Sequence, residues 1–276
     1  MIFLIFSFLC SFGLAIAGSL TFWPINGHWY NFYIPIVLFI AGFIGSIVFM
    51  WIVIDIIGSI TCRRNKVYSK VYKLNRWILN NGMAYIRRLA LITCKVSNKE
   101  KLPRRGSYLL VCNHRSNFDN FLISEKLAMH SNLAFVAKKG NFKIPLATFH
   151  LHKVLYLPID REDLMQSLQT MKLAAERIEN NVTSYAIFPE GTRSKDGKLG
   201  PFHEGVFNVA IKAKCPVVIC TIKGTENVKK RWPRITKTHI NICQVLNVED
   251  YDGLTAKALS DKAREIIEYD LEKSTL

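Results

Sequence analysis

The stretch "LLVCNHRSNFDNFLIS", residues 109 to 124, changes character twice within sixteen residues. The apolar run LLVC is followed by the polar run NHRSNFD, and apolar residues then resume. A short apolar run bounded by polar residues is typical of a buried strand, and Ser116 or Asn117 is a good helix N-cap. The stretch therefore predicts a strand, a loop and a helix, which together form the building unit of an α/β domain.

The same alternation continues to the end of the chain. One predicted helix, residues 162–180, has Leu164, Leu168 and Met171 on one apolar face. Strands that alternate with helices predict an α/β fold, so we expect a mixed, largely parallel sheet flanked by helices. The predicted strands are SYLLVC (107–112), LAFVAK (133–138), VLYLPI (154–159), SYAIF (184–188), PVVICTI (216–222) and HINICQVL (239–246), and the predicted helices are 117–129, 141–151 (a short helix or a loop), 162–180, 203–213 and 254–272.

The first 62 residues are of a different kind. They carry one charge, Asp55, whereas the whole chain has 37 Lys and Arg against 21 Asp and Glu, a net charge of +16. Two apolar segments, about 1–20 and 34–60, are long enough as helices to cross the ~30 Å hydrocarbon core of a bilayer. The connection between them is rich in Trp and Tyr, which is typical of a membrane interface. We therefore expect residues 1–62 to be a membrane anchor with two transmembrane helices.

The basic residues that follow the second segment predict an orientation. Arg63, Arg64 and Lys66 come directly after it, and the positive-inside rule places such a cluster in the cytoplasm. Residues 1–20 could instead be a cleaved signal peptide, because AIA at 15–17 fits a cleavage site. The absence of a basic stretch at its start argues against this, and both alternatives leave the rest of the chain in the cytoplasm.

Residues 63–94 connect the anchor to the α/β domain, which we assign to residues 95–276. Apolar residues recur at helical spacing from Val67 to Ile78, and the turn-forming NNG at 80–82 predicts a break before a second helix. These residues form either ordinary surface helices packed on a core or a basic amphipathic pair in the lipid headgroup layer. Their position directly after an apolar segment favours the headgroup layer.

The polar run holds a histidine and an aspartate that can act together. A neutral imidazole accepts a proton from a hydroxyl near neutral pH, and does so better when a carboxylate holds its other nitrogen. His114 and Asp119 can meet only if the histidine lies in the loop and the aspartate in the first helical turn. Such a pair arises by chance in roughly one comparable chain in four or five. A surface histidine beside a helix-capping aspartate would look the same.

A second motif, FPEGTRS at 188–194, follows another predicted strand. Pro189 and Gly191 predict a turn, and Arg193 offers a planar guanidinium suited to a phosphate group. The alternative is a surface turn with a salt bridge. Polar clusters at three successive strand ends make that alternative less probable, because ligand sites collect at the carboxyl ends of strands in α/β sheets.

Four motifs together resemble a known family. NHRSNFD (113–119), LPIDR (157–161), FPEGTRS (188–194) and CPVVICTIKG (215–224) are similar, in order and spacing, to the motif blocks of the glycerolipid acyltransferases. More narrowly, they resemble the bacterial type of 1-acylglycerol-3-phosphate acyltransferase over roughly residues 95 to 225. The fourth block departs from the family at Ile219, where a second proline is usual, which leaves the preference for acyl chain or donor open.

The resemblance implies a role for individual residues. His114 would be the general base on the acceptor hydroxyl, and Asp119 its orienting partner. The acceptor would be a lysophospholipid, the donor an acyl-CoA or an acyl-ACP, and the product phosphatidic acid when the acceptor is lysophosphatidic acid. The residues implied to bind the acceptor are Arg161, Glu190, Gly191, Thr192, Arg193 and Lys138, with the arginines on its phosphate.

The resemblance also implies the cellular setting. We expect a multi-pass protein, of the bacterial inner membrane, whose basic surface contacts membrane lipids. No cofactor, metal ion or nucleic acid is predicted, and the seven cysteines show no metal-ligand spacing, so they are interpreted as buried reduced thiols. Two alternatives stay open: the same reaction on another lyso-lipid acceptor, and a lipid-binding protein without catalysis. A hydrolase is disfavoured because the sequence has no GxSxG motif.

Overall fold

The computed structural model describes residues 2–26, 33–61, 68–144, 148–194 and 198–273. Three features of the sequence lie wholly or partly outside these residues: the basic cluster Arg63, Arg64 and Lys66, the middle of the aromatic connection, and Cys62. The fold described below is that of the described residues.

The apolar N-terminal part forms two helices, α1 (Ile2–Asn26) and α2 (Tyr33–Thr61), which pack on each other. A glycine permits their close approach, since a Cβ on Gly42 would lie 3.2 Å from the Cα of Ser11. Among the described residues, one helix is long and apolar enough to cross a membrane, Tyr33–Ile60, with a mean hydropathy of 2.7. The apolar stretch Ile5–Thr21 is shorter. The second predicted crossing helix is thus supported by length and composition, and the first stays a prediction.

The described part of the connecting region, residues 68–94, contains one helix, so the predicted pair of helices is wrong. Helix α3 (Lys73–Leu89) passes through NNG without a break. It packs on α4 (Phe118–Ser131), and the buried side chain of Asn80 accepts a hydrogen bond from the Ser124 hydroxyl at 3.4 Å. The cost of a glycine inside a helix is about 1 kcal/mol, which packing against a neighbouring helix readily exceeds. Ile78 of α3 packs in one apolar cluster with Met50 and Ile54 of α2, which joins the hairpin to the domain.

The sheet has seven strands in the order β1-β7-β6-β2-β5-β3-β4. All neighbouring strands are parallel except β6 and β7, so β1 and β7 run opposite to the other five. The expected mixed, largely parallel sheet is therefore confirmed. We call the edge where β2 to β6 end, and where β1 and β7 begin, the carboxyl edge. The strands are β1 (Ile92–Ser97), β2 (Leu109–Cys112), β3 (Ala134–Lys138), β4 (Leu157–Ile159), β5 (Tyr185–Ile187), β6 (Val217–Lys223) and β7 (Thr236–Leu246).

Helices cover the sheet and bury its central strands. All four residues of β2 and all seven of β6 are buried, as expected for parallel strands covered on both faces. Two predicted helices, 141–151 and 203–213, are each divided into a 3₁₀ turn and a short α-helix. The remaining helices are α5 (Thr148–Lys153), α6 (Leu164–Glu179), α7 (Asn208–Ala213), α8 (Val228–Arg231) and α9 (Ala256–Lys273), with 3₁₀ turns at Lys99–Lys101, Lys139–Lys143, Glu204–Val206, Thr225–Asn227 and Val248–Asp250.

The six described cysteines are free thiols. Cys112, Cys215 and Cys220 are buried, whereas Cys10, Cys94 and Cys243 are half-buried, so complete burial was predicted for too many of them. Burial raises the pKa of Cys215 to about 12, and the thiol is therefore protonated at neutral pH. These residues pack as small apolar side chains.

Candidate active site

The loop after β2 is held in place by an asparagine that continues the sheet. The side-chain amide of Asn113 donates to the carbonyl of Ile222 at 3.0 Å, and its side-chain oxygen accepts from the Ile222 N–H at 2.8 Å. Asn113 is buried, so both polar ends of its amide are satisfied away from water. The first residue of the loop is thereby fixed to β6, and the direction of the next side chain follows from it.

That next side chain is His114, and it contacts Asp119. The structure places His114 in the loop and Asp119 in the first turn of α4, with Nδ1 and Oδ2 2.8 Å apart. Because an ionised carboxylate only accepts hydrogen bonds, Nδ1 carries the proton and donates it to Asp119. The other ring nitrogen, Nε2, is then unprotonated in the neutral imidazole, as a general base requires.

Asp119 also orders the loop itself. Its Oδ2 accepts from the backbone N–H groups of Arg115 and Ser116 at 2.7 and 2.8 Å. The residue is fully buried, and within the described part of the chain its other oxygen, Oδ1, has no hydrogen-bond partner. One carboxylate thus fixes both the histidine ring and the backbone that carries it.

An aromatic ring packs against one face of the imidazole. Phe188, which directly follows β5, stacks on His114 with ring centroids 4.2 Å apart and an angle of 15° between the planes. The Asp119 contact and this stacking together restrict rotation of the imidazole. The first and third motif blocks therefore meet at the histidine.

Glu190 has a place that the sequence did not predict. Its Oε1 accepts from the N–H of His114 at 2.7 Å, and its Oε2 accepts from the N–H of Gly200 at 2.9 Å. The residue is buried, and the N–H of Ser194 in turn donates to the carbonyl of His114 at 2.9 Å. Both oxygens that were expected to face the acceptor are thus engaged with backbone amides. Glu190 joins the FPEGTRS turn to the histidine loop.

A cavity of about 1290 Å³ opens at the carboxyl edge beside the histidine. His114 has 14% of its side chain exposed and lies in the cavity wall. Asp119 and Glu190 lie behind that wall and do not line it. The other predicted site residues line the cavity together with His114: Lys138, Arg161, Gly191, Thr192 and Arg193.

The turn at Gly191 brings two further groups together. Gly191 has φ +68°, and a Cβ there would lie 2.9 Å from the ring of His203 and 3.9 Å from Nε of Arg161. Only glycine fits this position without strain and without a clash. Partial burial lowers the pKa of Arg161, but an arginine with an ordinary pKa above about 12 is still a cation at neutral pH.

His203 is a site residue that the sequence reasoning missed. It lines the cavity, and its N–H donates to the carbonyl of Pro189 at 2.8 Å. The sequence offered one indication of its role: His203 lies where the polar segment that continues FPEGTRS meets the predicted helix 203–213. Its contact with Gly191 depends on the fold of that segment and could not be read from spacing.

The apolar wall of the cavity was also missed, because its residues were assigned to a packed face. Leu164, Leu168 and Met171 of α6 line the cavity, and Leu164 is 72% exposed. Ala175 and Ile178, further along the same face, are buried in the core. The face is therefore divided between core and cavity. Among the described residues, no group of three or more His, Cys, Asp or Glu side chains is placed to hold a metal ion.

Comparison with known proteins confirms the family that the motifs predicted. Residues 93–223 match the model of the Acyltransferase family. The segment contains His114, Asp119 and the FPEGTRS turn.

The chain is similar to 1-acyl-sn-glycerol-3-phosphate acyltransferases. It is 31% identical over 170 residues to the chloroplastic enzyme BAT2 of Brassica napus, which covers 61% of this chain and 48% of the relative. It is 28% identical over 215 residues to the Haemophilus influenzae protein of that name, covering 77% of this chain and 85% of the relative. The chain thus spans about half the length of the plant relatives that it matches.

A solved structure shows the same fold. The 1-acyl-sn-glycerophosphate acyltransferase PlsC of Thermotoga maritima superposes with a TM-score of 0.61 at 23% identity. The match covers 72% of this chain and 78% of that one.

Proposed function

We propose that this protein transfers a fatty acyl group from an acyl thioester to the free sn-2 hydroxyl of lysophosphatidic acid, giving phosphatidic acid. The observation that supports it most is the buttressed His114–Asp119 pair at a cavity lined by cationic side chains. The names of the similar proteins point to the same reaction.

The histidine starts the reaction. Nε2 of His114 accepts the proton of the sn-2 hydroxyl, and Asp119 stabilises the imidazolium that forms. The alkoxide attacks the thioester carbonyl, the C–S bond of the resulting tetrahedral species breaks, and the thiolate takes the proton from His114. Base catalysis of this kind typically contributes about 10²- to 10⁴-fold.

Cations beside the histidine hold the acceptor. Arg161, Arg193 and Lys138 line the same cavity as His114 and suit a phosphomonoester, with Arg offering a two-pronged donor. Gly191 leaves the turn backbone accessible, and the Thr192 hydroxyl adds a donor. We assign Glu190 to positioning His114 rather than to acceptor binding, because both of its oxygens already accept from backbone amides.

Three further lysines that line the cavity suit the donor. These are Lys172, Lys212 and Lys257, on three different helices. The phosphates of coenzyme A and the phosphopantetheine of an acyl carrier protein are both anionic groups that such lysines attract. The proposal therefore includes acyl-CoA and acyl-ACP as donors, and the apolar wall of α6 is suited to an acyl chain.

The membrane setting is part of the proposal. The hairpin of α1 and α2 would anchor the protein as a multi-pass protein of the bacterial inner membrane, with residues 95–276 as the catalytic domain facing the cytoplasm. Support comes from the length and apolarity of α2 and from the basic residues that follow it. Within residues 63–94, α3 packs on the domain and leaves Leu74 and Trp77 exposed for contact with lipid headgroups.

The test is an acyl-transfer assay with detergent-solubilised protein, lysophosphatidic acid, and palmitoyl-CoA or palmitoyl-ACP. Wild type is compared with His114→Ala and with the control His152→Ala, which removes a histidine that does not line the cavity. Phosphatidic acid should form with wild type and control and fall by about 10²-fold or more with His114→Ala.

Two outcomes would contradict the proposal. If wild type makes no product with either donor, the acceptor is wrong, and a panel of other lysophospholipids identifies the correct one. If His114→Ala is as active as wild type, the base mechanism is wrong.

A further inference from the structure

Outside the hairpin of α1 and α2, exposed apolar side chains are concentrated in segments next to the carboxyl edge. A soluble surface normally shows such residues scattered singly, and clusters mark interaction sites. Eleven large apolar side chains are exposed between residues 68 and 273 among the described residues, and eight lie within nine residues of a strand end at this edge. The eight are Leu89, Leu91, Ile144, Leu164, Met165, Leu168, Trp232 and Ile235.

The most prominent cluster is formed by the segment KKRWPRI, residues 229–235, which we call the tryptophan loop. It joins β6 to β7 at the carboxyl edge, and all seven of its residues are exposed. Trp232 is 61% exposed and Ile235 58%. Leu89 and Leu91, at the end of α3, are exposed beside it.

Hydrogen bonds attach the loop to α3 and to the residues that follow it, so the position of the exposed residues is fixed. The indole N–H of Trp232 donates to the carbonyl of Leu89 at 3.4 Å, and the N–H of Thr236 donates to the carbonyl of Leu91 at 2.9 Å. Helix α3 in turn contacts the apolar hairpin through Ile78. One helix therefore connects the hairpin to the tryptophan loop.

The loop is also strongly cationic. Between Glu226 and Glu249 the chain has no acidic residue. An exposed tryptophan with basic neighbours is the composition that favours the headgroup layer of a bilayer, where the ring lies among the headgroups and the cations contact anionic lipid. The loop's cations are Lys229, Lys230, Arg231 and Arg234.

The root of the loop reaches the active site. Arg115, the residue after His114, forms a salt bridge with Glu226 at 3.1 Å, three residues before the loop begins. The catalytic loop and the tryptophan loop thus leave the same edge of the sheet side by side. A surface in contact with the tryptophan loop would lie next to the mouth of the cavity.

We propose that the tryptophan loop, with Leu89 and Leu91, is a membrane-docking surface that lies in the headgroup layer of a bilayer containing anionic phospholipid. The contact turns the carboxyl edge toward the lipid, so a lipid acceptor enters the cavity from the membrane. The exposed Leu164 and Leu168 at the cavity mouth face the same layer. This docking goes beyond the proposed function, and contact with lipid is measurable whatever the reaction.

The test measures tryptophan depth in full-length protein reconstituted into bilayers of phosphatidylcholine with phosphatidylglycerol. In a Trp232→Phe background, one added tryptophan is placed at the loop (Ile235→Trp), and a control is placed at an exposed loop before β2, at the opposite edge (Arg105→Trp). Emission of the parent Trp232→Phe protein is subtracted. Lipids with brominated acyl chains quench tryptophan in the bilayer, whereas acrylamide quenches tryptophan in water.

The added tryptophan at 235 should be quenched by brominated lipid and shielded from acrylamide, and that at 105 should show the reverse. Equal quenching at the two positions would overturn the docking surface. This is also the result expected if the loop binds an acidic protein or a nucleic acid instead of a bilayer. Lipid quenching at 235 that does not weaken when phosphatidylglycerol is omitted would overturn the role of anionic lipid.

A second variant tests the cations without altering the tryptophan. Lys229→Gln with Lys230→Gln should raise the apparent KM for long-chain lysophosphatidic acid in anionic vesicles about tenfold. With a short-chain, water-soluble lysophosphatidic acid the KM should be unchanged. An equal rise for both acceptors would overturn the docking role. Because the quenching measurement needs no turnover, failure of the proposed reaction would leave the docking result intact.

Discussion

The two sides of the cavity are built differently. Around His114, nearly every polar atom is engaged: Asp119 accepts three hydrogen bonds on one oxygen, and Glu190 accepts two backbone amides. Three cations that line the same cavity, Arg161, Arg193 and Lys138, are instead exposed. The proposed general base is thus held in place without substrate, whereas the side chains proposed to bind the acceptor are exposed. Removing a group that holds His114 in place should lower kcat, whereas removing an exposed cation should raise KM.

The largest effect is expected from Asp119→Asn. The amide oxygen would take the place of Oδ2, which accepts from the N–H groups of Arg115 and Ser116, so Nδ1 of His114 keeps its partner but the negative charge that stabilises the imidazolium is lost. We expect kcat to fall by about 10²- to 10⁴-fold with little change in KM. Steady-state kinetics with saturating donor measure both constants. A kcat within tenfold of wild type would show that the His114–Asp119 pair does not supply the general base.

Arg161→Gln and Arg193→Gln probe the exposed side. Hydrogen bonds to charged groups contribute about 1.5–3 kcal/mol each, so KM for lysophosphatidic acid should rise roughly 10- to 100-fold. The melting temperature should not change, because both side chains are exposed. Arg104→Gln, exposed before β2 and outside the cavity, is the matched control.

A monoacylglycerol, which lacks the phosphate, refines this experiment. Its turnover, however slow, should be insensitive to both arginine variants. If the variants lower the rates with and without phosphate equally, the two arginines do not bind the phosphate.

Glu190→Gln tests whether this residue positions His114 or binds the acceptor. A glutamine has one acceptor oxygen, so either the N–H of His114 or that of Gly200 loses its partner, at a cost of about 1–3 kcal/mol. The melting temperature and kcat should both fall. Thermal unfolding by circular dichroism in detergent measures the first. An unchanged melting temperature with a raised KM would instead place Glu190 on the acceptor.

The smallest effect concerns His150, where the hairpin meets the domain. Its Nδ1 lies 2.9 Å from the side-chain nitrogen of Asn75 and its Nε2 3.3 Å from the carbonyl of Ile54. Burial lowers the pKa of His150, and Lys153 lowers it further, while the Ile54 carbonyl and Asp55 oppose the shift.

Because the unfolded chain binds a proton more readily at this residue, stability is complete above the ordinary pKa of about 6.5 and declines as the pH falls below it. The melting temperature of wild type should therefore drop more between pH 7.5 and 5.5 than that of His150→Gln. Parallel declines would show that the pKa of His150 is the same in the folded and the unfolded chain.

The sequence predicted best what is local. His114 and Asp119 are five residues apart, and the strand–loop–helix pattern was enough to bring them together. Strand and helix alternation from residue 107 onward also follows from local patterns, and it gave the mixed sheet. Nothing local indicated Glu190, whose partner His114 is 76 residues away along the chain, or the contact of His203 with Gly191.

Two errors in the connecting region have a physical cause. The NNG sequence has low helix propensity, but the packing of α3 on α4 decides the outcome. Strand β1 was missed because it lies at the edge of the sheet and is only partly buried, so its apolar pattern is weak. Apart from Ile92, which was placed in the second helix, the sequence reasoning gave this segment no assignment, and a partner far along the chain makes it a strand.

That distant partner has a consequence for synthesis. Ile92 of β1 pairs with Thr236 of β7 and with no nearer strand. At a ribosomal rate of ~5–20 residues per second, about 140 residues separate the two strands by roughly 7 to 30 s. The apolar hairpin emerges before either. Throughout that interval β1 has no strand partner, and the sheet is completed only after β7 has been synthesised.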